Sequence, residues 1–409
     1  MSSKPFVIVG AGHAARRAAE SLRERDADVR IVMIGAEPEL PYDRPVLSKD
    51  ALMNHDGEHR AFIRDAAYYD AQRIELRLGV SVVSIDRAQQ VVQLDDGSTL
   101  GYARLLLATG SRVRRFTGPV DDGVTLHYVR TVADARALRA ALAPGKRVVV
   151  LGGGFIGLEV AASAATLGCT AVVIEPAAAL LQRAMPRAIG EFILAMHASK
   201  GVDVQLNTKP LGIRRRASGD GECAIVETDR GEIDADVVVI GIGVVPNVEL
   251  AMEAGLDIDN GIVVDAQCRT SDPAIFAAGE VTQHFNPLLA RQVRIESWQV
   301  AENQPAIAAA NMLGDAQTYA EIPWLWSDQF DCNLQTLGVF TDTQTLVTRG
   351  VPGDGTFTLM ALGESGELQA VAAVNAGRDI GACKRLMAAG KVLDAASLAN
   401  PAITLRSML

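Results

Sequence analysis

The sequence has few cysteines, and their spacing pairs none of them. The five are Cys169, Cys223, Cys268, Cys332 and Cys383. No C-x-x-C or longer paired spacing occurs, so the sequence predicts neither a disulfide framework nor a metal site. A redox-active dithiol is excluded for the same reason.

An excess of basic residues is also missing. The chain has 39 Lys and Arg against 49 Asp and Glu, a net charge of −10, which argues against a general nucleic-acid partner. A first strand is predicted from about Pro5, which leaves no room for a signal peptide, so we expect a cytoplasmic protein. The length of 409 residues predicts two to four domains.

A nearly uncharged run from Val148 to Gly168 is the longest candidate for a membrane span, but several glycines and Glu159 interrupt it. The pattern around it is instead strand, loop, helix, strand and acid. Arg147–Leu151 is a short apolar strand, Leu158–Leu167 reads as a helix, and Thr170–Ile174 is a second strand. This order is the setting of a dinucleotide-binding fingerprint.

The loop supplies the G-x-G-x-x-G of that fingerprint. Gly152 permits the tight turn, Gly154 lets the backbone approach a pyrophosphate, and Gly157 lets helix and strand pack closely. The helix start offers unpaired N–H groups to the phosphates. Glu175, after the second strand, is expected to accept both ribose hydroxyls and to repel a 2′-phosphate, which favours NADH over NADPH.

A second dinucleotide loop stands near the start of the chain. Gly10 and Gly12 follow an apolar strand and precede a helix that is predicted to run to about Arg25, with Ala15 in the place of the third glycine. Glu37 is the nearest carboxylate after the next strand and is assigned to a ribose. Two loops require two dinucleotides, and FAD with NADH is the economical pair because flavin accepts a hydride from nicotinamide. Two copies of a single-cofactor domain are the alternative.

Four segments together resemble one family. They are P-Y-x-R-P-x-L-S-K at 41–49, A-T-G at 108–110, G-G-G-F-I-G-L-E-V-A at 152–161 and A-A-G-E at 277–280. In this order they resemble the FAD-dependent ferredoxin reductases that oxidise NADH in bacterial ring-hydroxylating dioxygenase systems, including the putidaredoxin-reductase type. Glu280 departs from the aspartate usual in the last motif, which alters the position of an expected contact with a ribityl hydroxyl.

The resemblance implies an α/β fold with two Rossmann-like, glutathione-reductase-like dinucleotide-binding domains and a C-terminal α+β domain. The expected domains are residues 1–112 with 246–320 for FAD, 113–245 for NADH, and 321–409 for the C-terminal domain. Further cofactor contacts are expected from Arg44, Lys49, Ala108, Thr109, Gly110, Arg130, Ile156, Gly243, Gly279, Glu280, Ser297, Trp298 and Trp326.

The expected reaction runs from NADH through FAD to the [2Fe–2S] cluster of a separate ferredoxin that feeds an oxygenase. Lys49 and Glu159 are predicted to form a charge pair near the flavin and nicotinamide. Ferredoxins are commonly acidic, so docking calls for a local basic patch, for which Arg112, Arg114 and Arg115 are candidates. Trp324 and Trp326 share one face of a predicted strand, where core packing is expected for both. The resemblance implies instead that Trp326 lies near the flavin and the place where ferredoxin docks.

Other functions stay open. A disulfide reductase needs paired cysteines, and a related NADH oxidase or peroxidase needs a cysteine near 41–45, where this chain has Pro41, Tyr42 and Asp43. A reductase for rubredoxin or a cytochrome P450 ferredoxin, and a flavin-binding signalling protein like apoptosis-inducing factor, remain alternatives.

Overall fold

The computed structural model describes residues 4–54, 56–216 and 223–409. The chain divides into two compact units. The first contains 1–45, 59–112 and 244–323, and the second contains 46–58, 113–243 and 324–409. The finer division into three domains stays a prediction.

The helices are α1 His13–Arg25, α2 Asp50–Met53, α3 Ala66–Ala71, α4 Val132–Ala141, α5 Phe155–Thr166, α6 Arg187–Ser199, α7 Glu249–Glu253, α8 Trp298–Met312, α9 Gly377–Ala389 and α10 Ala395–Ala399. The strands are β1 Phe6–Val9, β2 Ile31–Gly35, β3 Ile74–Leu78, β4 Val82–Asp86, β5 Val91–Leu94, β6 Thr99–Gly101, β7 Arg104–Leu107, β8 Ser111–Val113, β9 Leu126–His127, β10 Arg147–Leu151, β11 Thr170–Glu175, β12 Asp203–Leu206, β13 Pro210–Arg215, β14 Ala224–Thr228, β15 Gly231–Ala235, β16 Val237–Ile240, β17 Val244–Pro246, β18 Ile258–Asp259, β19 Gly261–Val264, β20 Ile275–Ala277, β21 Thr282–Asn286, β22 Arg291–Val293, β23 Trp324–Gln329, β24 Cys332–Gly338, β25 Thr345–Val351, β26 Thr356–Leu362 and β27 Leu368–Val374.

The first unit is built on a parallel sheet of order β20-β7-β1-β2-β3. Its central strands are apolar apart from Arg104 at the start of β7, because both faces of the sheet are covered. Helices α1 and α8 cover one face, and β4, β5 and α7 cover the other. Helices α1 and α8 share one core with the sheet, in which Ala15 and Ala18 of α1 and Ala308 and Ala309 of α8 are fully buried. These small side chains let the two helices approach closely.

The second unit contains a parallel sheet of order β12-β11-β10-β16-β9. Helix α5 connects β10 to β11, as a parallel pair requires. In each parallel sheet a glycine loop joins a strand to the following helix at the carboxyl end of the strand, where open α/β sheets bind ligands. The loops join β1 to α1 and β10 to α5.

The C-terminal part of the second unit is an antiparallel sheet of order β23-β24-β27-β26-β25 with α9 packed on it. The predicted α/β class with a C-terminal α+β domain is confirmed. Strand β25 has mixed burial and gives no clean alternation in the sequence. Helix α9 begins at Gly377, and Gly381 lies inside it with open space around it.

Candidate cofactor sites

The first glycine loop joins β1 to α1 in the first unit. Gly10 has a φ of +115°, and a Cβ there would lie 2.2 Å from the carbonyl oxygen of Ala108, so only glycine fits. A Cβ on Gly12 would meet nothing nearer than an Arg44 nitrogen at 3.9 Å. Ala15 is fully buried in α1. The loop thus leaves an open cradle in front of the N-terminus of α1, which fits a pyrophosphate.

Glu37, expected at a ribose, and Arg44, expected at a cofactor, lie together in the first unit. An Arg44 nitrogen lies 2.8 Å from a Glu37 carboxylate oxygen, and Arg44 also donates to the Tyr42 hydroxyl at 2.9 Å. The Tyr42 hydroxyl in turn donates to Glu37. Burial favours the neutral guanidine, but the charges of Tyr42, Glu37 and Glu280 outweigh it and raise the pKa of Arg44 above its usual value. Arg44 is therefore a permanent cation beside the cradle.

The A-T-G segment is fixed by Asn247, a residue that the sequence did not single out. The Thr109 hydroxyl donates to the Asn247 carbonyl, and the Asn247 amide donates to the Thr109 carbonyl, each at 2.8 Å. The Asn247 N–H donates to the carbonyl of Gly110 at 2.9 Å. Three hydrogen bonds hold this backbone where Ala108 contacts the first glycine loop.

The A-A-G-E segment is held by a second unpredicted residue, Gln304 of α8. Its side-chain oxygen accepts from the N–H of Gly279 at 2.8 Å and from the hydroxyl of Thr282 at 3.0 Å. Gly279 has a φ of +89°, and its ideal Cβ would lie 3.0 Å from Ala14 of α1. The partly exposed Glu280 follows at this turn.

A buried cluster of charges surrounds the start of α1. His13 is 8% exposed, its Nδ1 contacts Asp43, and its Nε2 lies 2.7 Å from Glu302 of α8. Trp298 donates to Asp43 at 3.2 Å and its ring lies 5.1 Å from that of His13. Burial alone would lower the pKa of His13, but its two carboxylate partners outweigh burial and raise it. Ser297 caps α8 by accepting from the Val300 N–H.

The second glycine loop joins β10 to α5 in the second unit. Gly152 has a φ of +114°, and its Cβ would lie 2.5 Å from the carbonyl oxygen of Gly241; a Cβ on Gly157 would lie 2.1 Å from that of Gly152. A Cβ on Gly154 would meet nothing within 4 Å, and Ile156 in the next turn is 44% exposed. The loop is therefore closely packed at its first and third glycines and open at its second, which fits a second pyrophosphate.

The acid at the end of β11 is bonded to the backbone of its own unit. Glu175 accepts from the N–H groups of Gly153 and Ala177, each at 2.7 Å. These bonds fix the carboxylate beside the glycine loop. Gly243, expected near the nicotinamide, has a φ of +100° and an ideal Cβ 3.4 Å from an Arg183 nitrogen.

Lys49 and Glu159 form the expected ion pair. The Lys49 Nζ lies 2.9 Å from Glu159 Oε2, and the two side chains are 18% and 3% exposed. Two serines donate to the same carboxylate, Ser48 to Oε2 at 2.5 Å and Ser327 to Oε1 at 2.7 Å. The pair was predicted from the sequence, whereas the two serines, 111 and 168 residues away from Glu159 in the chain, were not.

The remaining predicted aromatic and basic residues lie partly or fully exposed. Trp324 and Trp326 stack at 5.0 Å on one side of β23, and neither ring is fully buried. Arg130 precedes Thr131, which caps α4. Arg112 lies 2.7 Å from Glu249, and the Arg115 guanidinium lies 4.3 Å from the centre of the Tyr128 ring. Arg114 is exposed.

The cysteines form no disulfide. All five are free, and burial raises the pKa of Cys332 to about 11 and of Cys383 to about 12, so these thiols are unreactive. Among residues 4–54, 56–216 and 223–409, no group of His, Cys, Asp and Glu has the geometry of a metal site. Within the same part of the chain, no helix has the length and apolar character that crossing a bilayer requires.

Comparison with known proteins gives a consistent result. Residues 4–305 match the family described as "Pyridine nucleotide-disulphide oxidoreductase", and residues 324–409 match "Reductase C-terminal". The chain is 67% identical over 409 residues, all of both chains, to the "Anthranilate 1,2-dioxygenase system ferredoxin--NAD(+) reductase component" of Burkholderia cepacia.

Solved structures agree. A ferredoxin reductase from Rhodopseudomonas palustris matches with a TM-score of 0.93 and 33% identity over 99% of this chain and 100% of that one. The covalent putidaredoxin reductase–putidaredoxin complex matches with a TM-score of 0.94 and 33% identity over 100% of this chain and 98% of that one. The chain therefore belongs to the pyridine nucleotide-disulphide oxidoreductase family, and within it to the ferredoxin–NAD⁺ reductases of the putidaredoxin-reductase type.

Proposed function

We propose that this protein is the FAD-containing reductase of an aromatic-ring dioxygenase system, which passes electrons from NADH to a [2Fe–2S] ferredoxin. The observation that carries the proposal is the pair of open glycine cradles, one at Gly12 and one at Gly154. Each stands before the N-terminus of a helix that follows a parallel strand, and each fits one dinucleotide. The 67% identity to a reductase component of a dioxygenase system favours this acceptor class.

FAD, when bound, would supply the redox chemistry, because a flavin can accept electrons in pairs and release them singly. The protein binds and orients. In the first unit, the N–H groups at the start of α1 and the Arg44 cation hold the pyrophosphate of FAD, with Glu37 at its ribose. In the second unit, the start of α5 holds the pyrophosphate of NADH and Glu175 accepts its ribose hydroxyls. Glu175 disfavours NADPH because its carboxylate repels a 2′-phosphate.

The residues that serve the reactive rings belong to the same proposal. We assign cofactor contacts to Thr109, Gly110, Glu280 and Trp298 in the first unit and to Arg130, Gly243 and Trp326 in the second. Lys49 with Glu159 supplies a charge pair in the second unit. No nucleophile is required of the protein, which agrees with the inert thiols. We also place the protein in the cytoplasm, where NADH is made and thiols stay reduced.

Anaerobic titration tests the first half of this function. NADH should bleach the yellow flavin band at one equivalent per FAD, and NADPH should do so at least about tenfold less efficiently, because Glu175 faces a 2′-phosphate. Mixing with a dioxygenase-type [2Fe–2S] ferredoxin should restore the band within a turnover. If NADH bleaches the flavin band rapidly but every one-electron acceptor restores the band only slowly, the protein is instead a flavin-binding signalling protein.

We propose that Arg112, Arg114 and Arg115 contact the acidic ferredoxin. Reversing each charge should slow ferredoxin reduction, more at low salt, and leave reduction of a small dye by NADH unchanged. Arg187, which is 84% exposed and pairs with Glu191 on α6, offers a control reversal. Equal loss of both rates in the arginine variants would remove the docking role.

A further inference from the structure

The Lys49–Glu159 pair is the end of a longer buried chain of hydrogen bonds. Ser327 and Gln329 of β23 and His197 of α6 continue it inside the second unit. The Ser327 hydroxyl lies 2.7 Å from Glu159 Oε1, Gln329 Nε2 lies 3.0 Å from Ser327 Oγ, and His197 Nε2 lies 2.8 Å from Gln329 Oε1. None of these four side chains is more than 3% exposed. Water therefore has little access to this series of hydrogen bonds.

The donors and acceptors of this chain fix its direction. A carboxylate only accepts, so the Ser327 hydrogen is committed to Glu159. The serine oxygen then has only lone pairs left, so Gln329 presents its NH₂ to Ser327 and its oxygen to His197. His197 must therefore donate from Nε2. Burial lowers the pKa of His197, which favours the neutral ring. Every hydrogen bond points towards Glu159, an arrangement in which each bond strengthens the next.

The other carboxylate oxygen of Glu159 is held from a different part of the sequence. Ser48 and Lys49 both contact Oε2, and the Ser163 hydroxyl of α5 donates to the Ser48 carbonyl at 2.8 Å. One oxygen is thus committed to β23 and the other to the 48–49 segment. Because the two sets of donors lie on different oxygens, the carboxylate has one orientation, and Oε2 faces Lys49.

Successive side chains of β23, the strand that contributes Ser327 and Gln329, point to opposite faces of the sheet. Ser327 and Gln329 are buried towards Glu159, whereas Trp324 and Trp326 stack on the opposite side. The position of the C-terminal strand is therefore coupled directly to the orientation of Glu159. A sequence search for catalytic motifs does not find these residues, because each is individually an ordinary core polar side chain.

We propose that Ser327, Gln329 and His197 are positioning residues that orient the Glu159 carboxylate for NADH binding and flavin reduction. The proposal rests on the proposed function for the role of Glu159, but not for the hydrogen-bond chain itself. Ser327 acts only through Glu159, and Gln329 and His197 act only through Ser327. The three residues serve the NADH half of the reaction and not the ferredoxin half.

A double-mutant cycle on the FAD-loaded protein tests this. Ser327→Ala should weaken NAD⁺ binding, measured by calorimetry without turnover, about tenfold, the scale of one lost hydrogen bond to a charged group. It should slow bleaching of the flavin band by NADH to a similar degree and leave the ferredoxin step unchanged. Ser327→Thr, which keeps the hydroxyl, should restore both. In a Glu159→Gln background, Ser327→Ala should have no further effect.

Thr358→Val provides the structural control. Thr358 is fully buried in the same C-terminal sheet, and its hydroxyl bonds Asp379 at 2.9 Å, away from Glu159. This variant should lower the melting temperature without changing the affinity for NAD⁺. If Ser327→Ala likewise changes only the melting temperature, or if its effect multiplies with that of Glu159→Gln, the positioning role is wrong. Coupled NAD⁺ binding without any ferredoxin reduction by the wild type would refute the proposed function and support the positioning role.

Discussion

His284 makes the first unit sensitive to acid. Its side chain is 2% exposed and packs edge-on against Tyr319 at 5.2 Å, and neither ring nitrogen has a hydrogen-bond partner among the described residues. Burial without a partner disfavours the imidazolium and lowers the pKa of His284 to about 4. Between about pH 6.5 and pH 4, the histidine of the unfolded chain is therefore protonated while that of the folded chain is not.

The sign and size of the effect follow from these two values. A depressed pKa leaves stability intact above about pH 6.5 and removes it as the pH falls towards 4. The shift of 6.5 − 4 = 2.5 units corresponds to about 3 kcal/mol in full, of which about 2 kcal/mol is lost by pH 5. For a domain of roughly 150–250 residues this lowers the melting temperature by about 4–8 °C.

His284→Phe separates this residue from the other groups that titrate in acid. Phenylalanine keeps a ring against Tyr319 and loses no hydrogen bond, so the variant should match the wild type at pH 7 and be about 2 kcal/mol more stable at pH 5. Thermal or urea unfolding, followed by circular dichroism at both pH values, measures the difference. If the wild type and the variant lose the same stability between pH 7 and pH 5, His284 is not the acid-sensitive group and the reasoning is refuted.

Three further predictions concern the cofactor sites. Gly152→Ala should destabilise the fold by several kcal/mol, because the positive φ and a carbonyl oxygen 2.5 Å away leave no room for a Cβ. Gly154→Ala should melt like the wild type and bind NAD⁺ less tightly, because a Cβ there fills only the open cradle. Melting curves measure the first effect, and calorimetry measures the second. His13→Gln should reduce stability most below pH 6.5, and the difference from the wild type should shrink as the pH rises through the raised folded pKa of His13, as unfolding from pH 6 to 9 will measure. Glu175→Ala should reduce the preference for NADH over NADPH at least about tenfold in kcat/KM; unchanged preference would remove its ribose role.

The sequence predicted the parallel sheets and their glycine loops because both are local. An apolar strand, a loop that needs positive φ and a helix start occupy adjacent residues, and the close contacts at Gly10 and Gly152 explain why those positions must be glycine. Boundaries were less accurate. Helix α5 starts at Phe155 and not Leu158, because Gly154 is its N-cap and Gly157 is already helical. Gly157 was assigned to the loop because it belongs to the glycine motif, although it already lies in the helix.

The groups that fix the cofactor segments were not predictable in the same way. Asn247 and Gln304 hold A-T-G and A-A-G-E by their amides, and nothing in the residues beside them marks an asparagine or a glutamine as structural. The same is true of His13 at the start of α1. Its two carboxylate partners come from a loop 30 residues away and from a helix 289 residues away.

The orientation of the Glu159 side chain is set by residues that lie outside its sequence motif. The motif supplies a carboxylate in the first turns of a helix, where the helix dipole already stabilises it, and that explanation alone would suffice for a residue with no further role. The structure adds three donors to a side chain that is 3% exposed, and one of them begins a chain of hydrogen bonds that ends at His197. A helix dipole does not choose between the two oxygens of a carboxylate, whereas donors on separate oxygens do. The orientation of Glu159 is therefore a property of residues 48, 49 and 327 and not of the glycine motif in which it stands, and altering those residues should change the use of NADH while the motif stays intact.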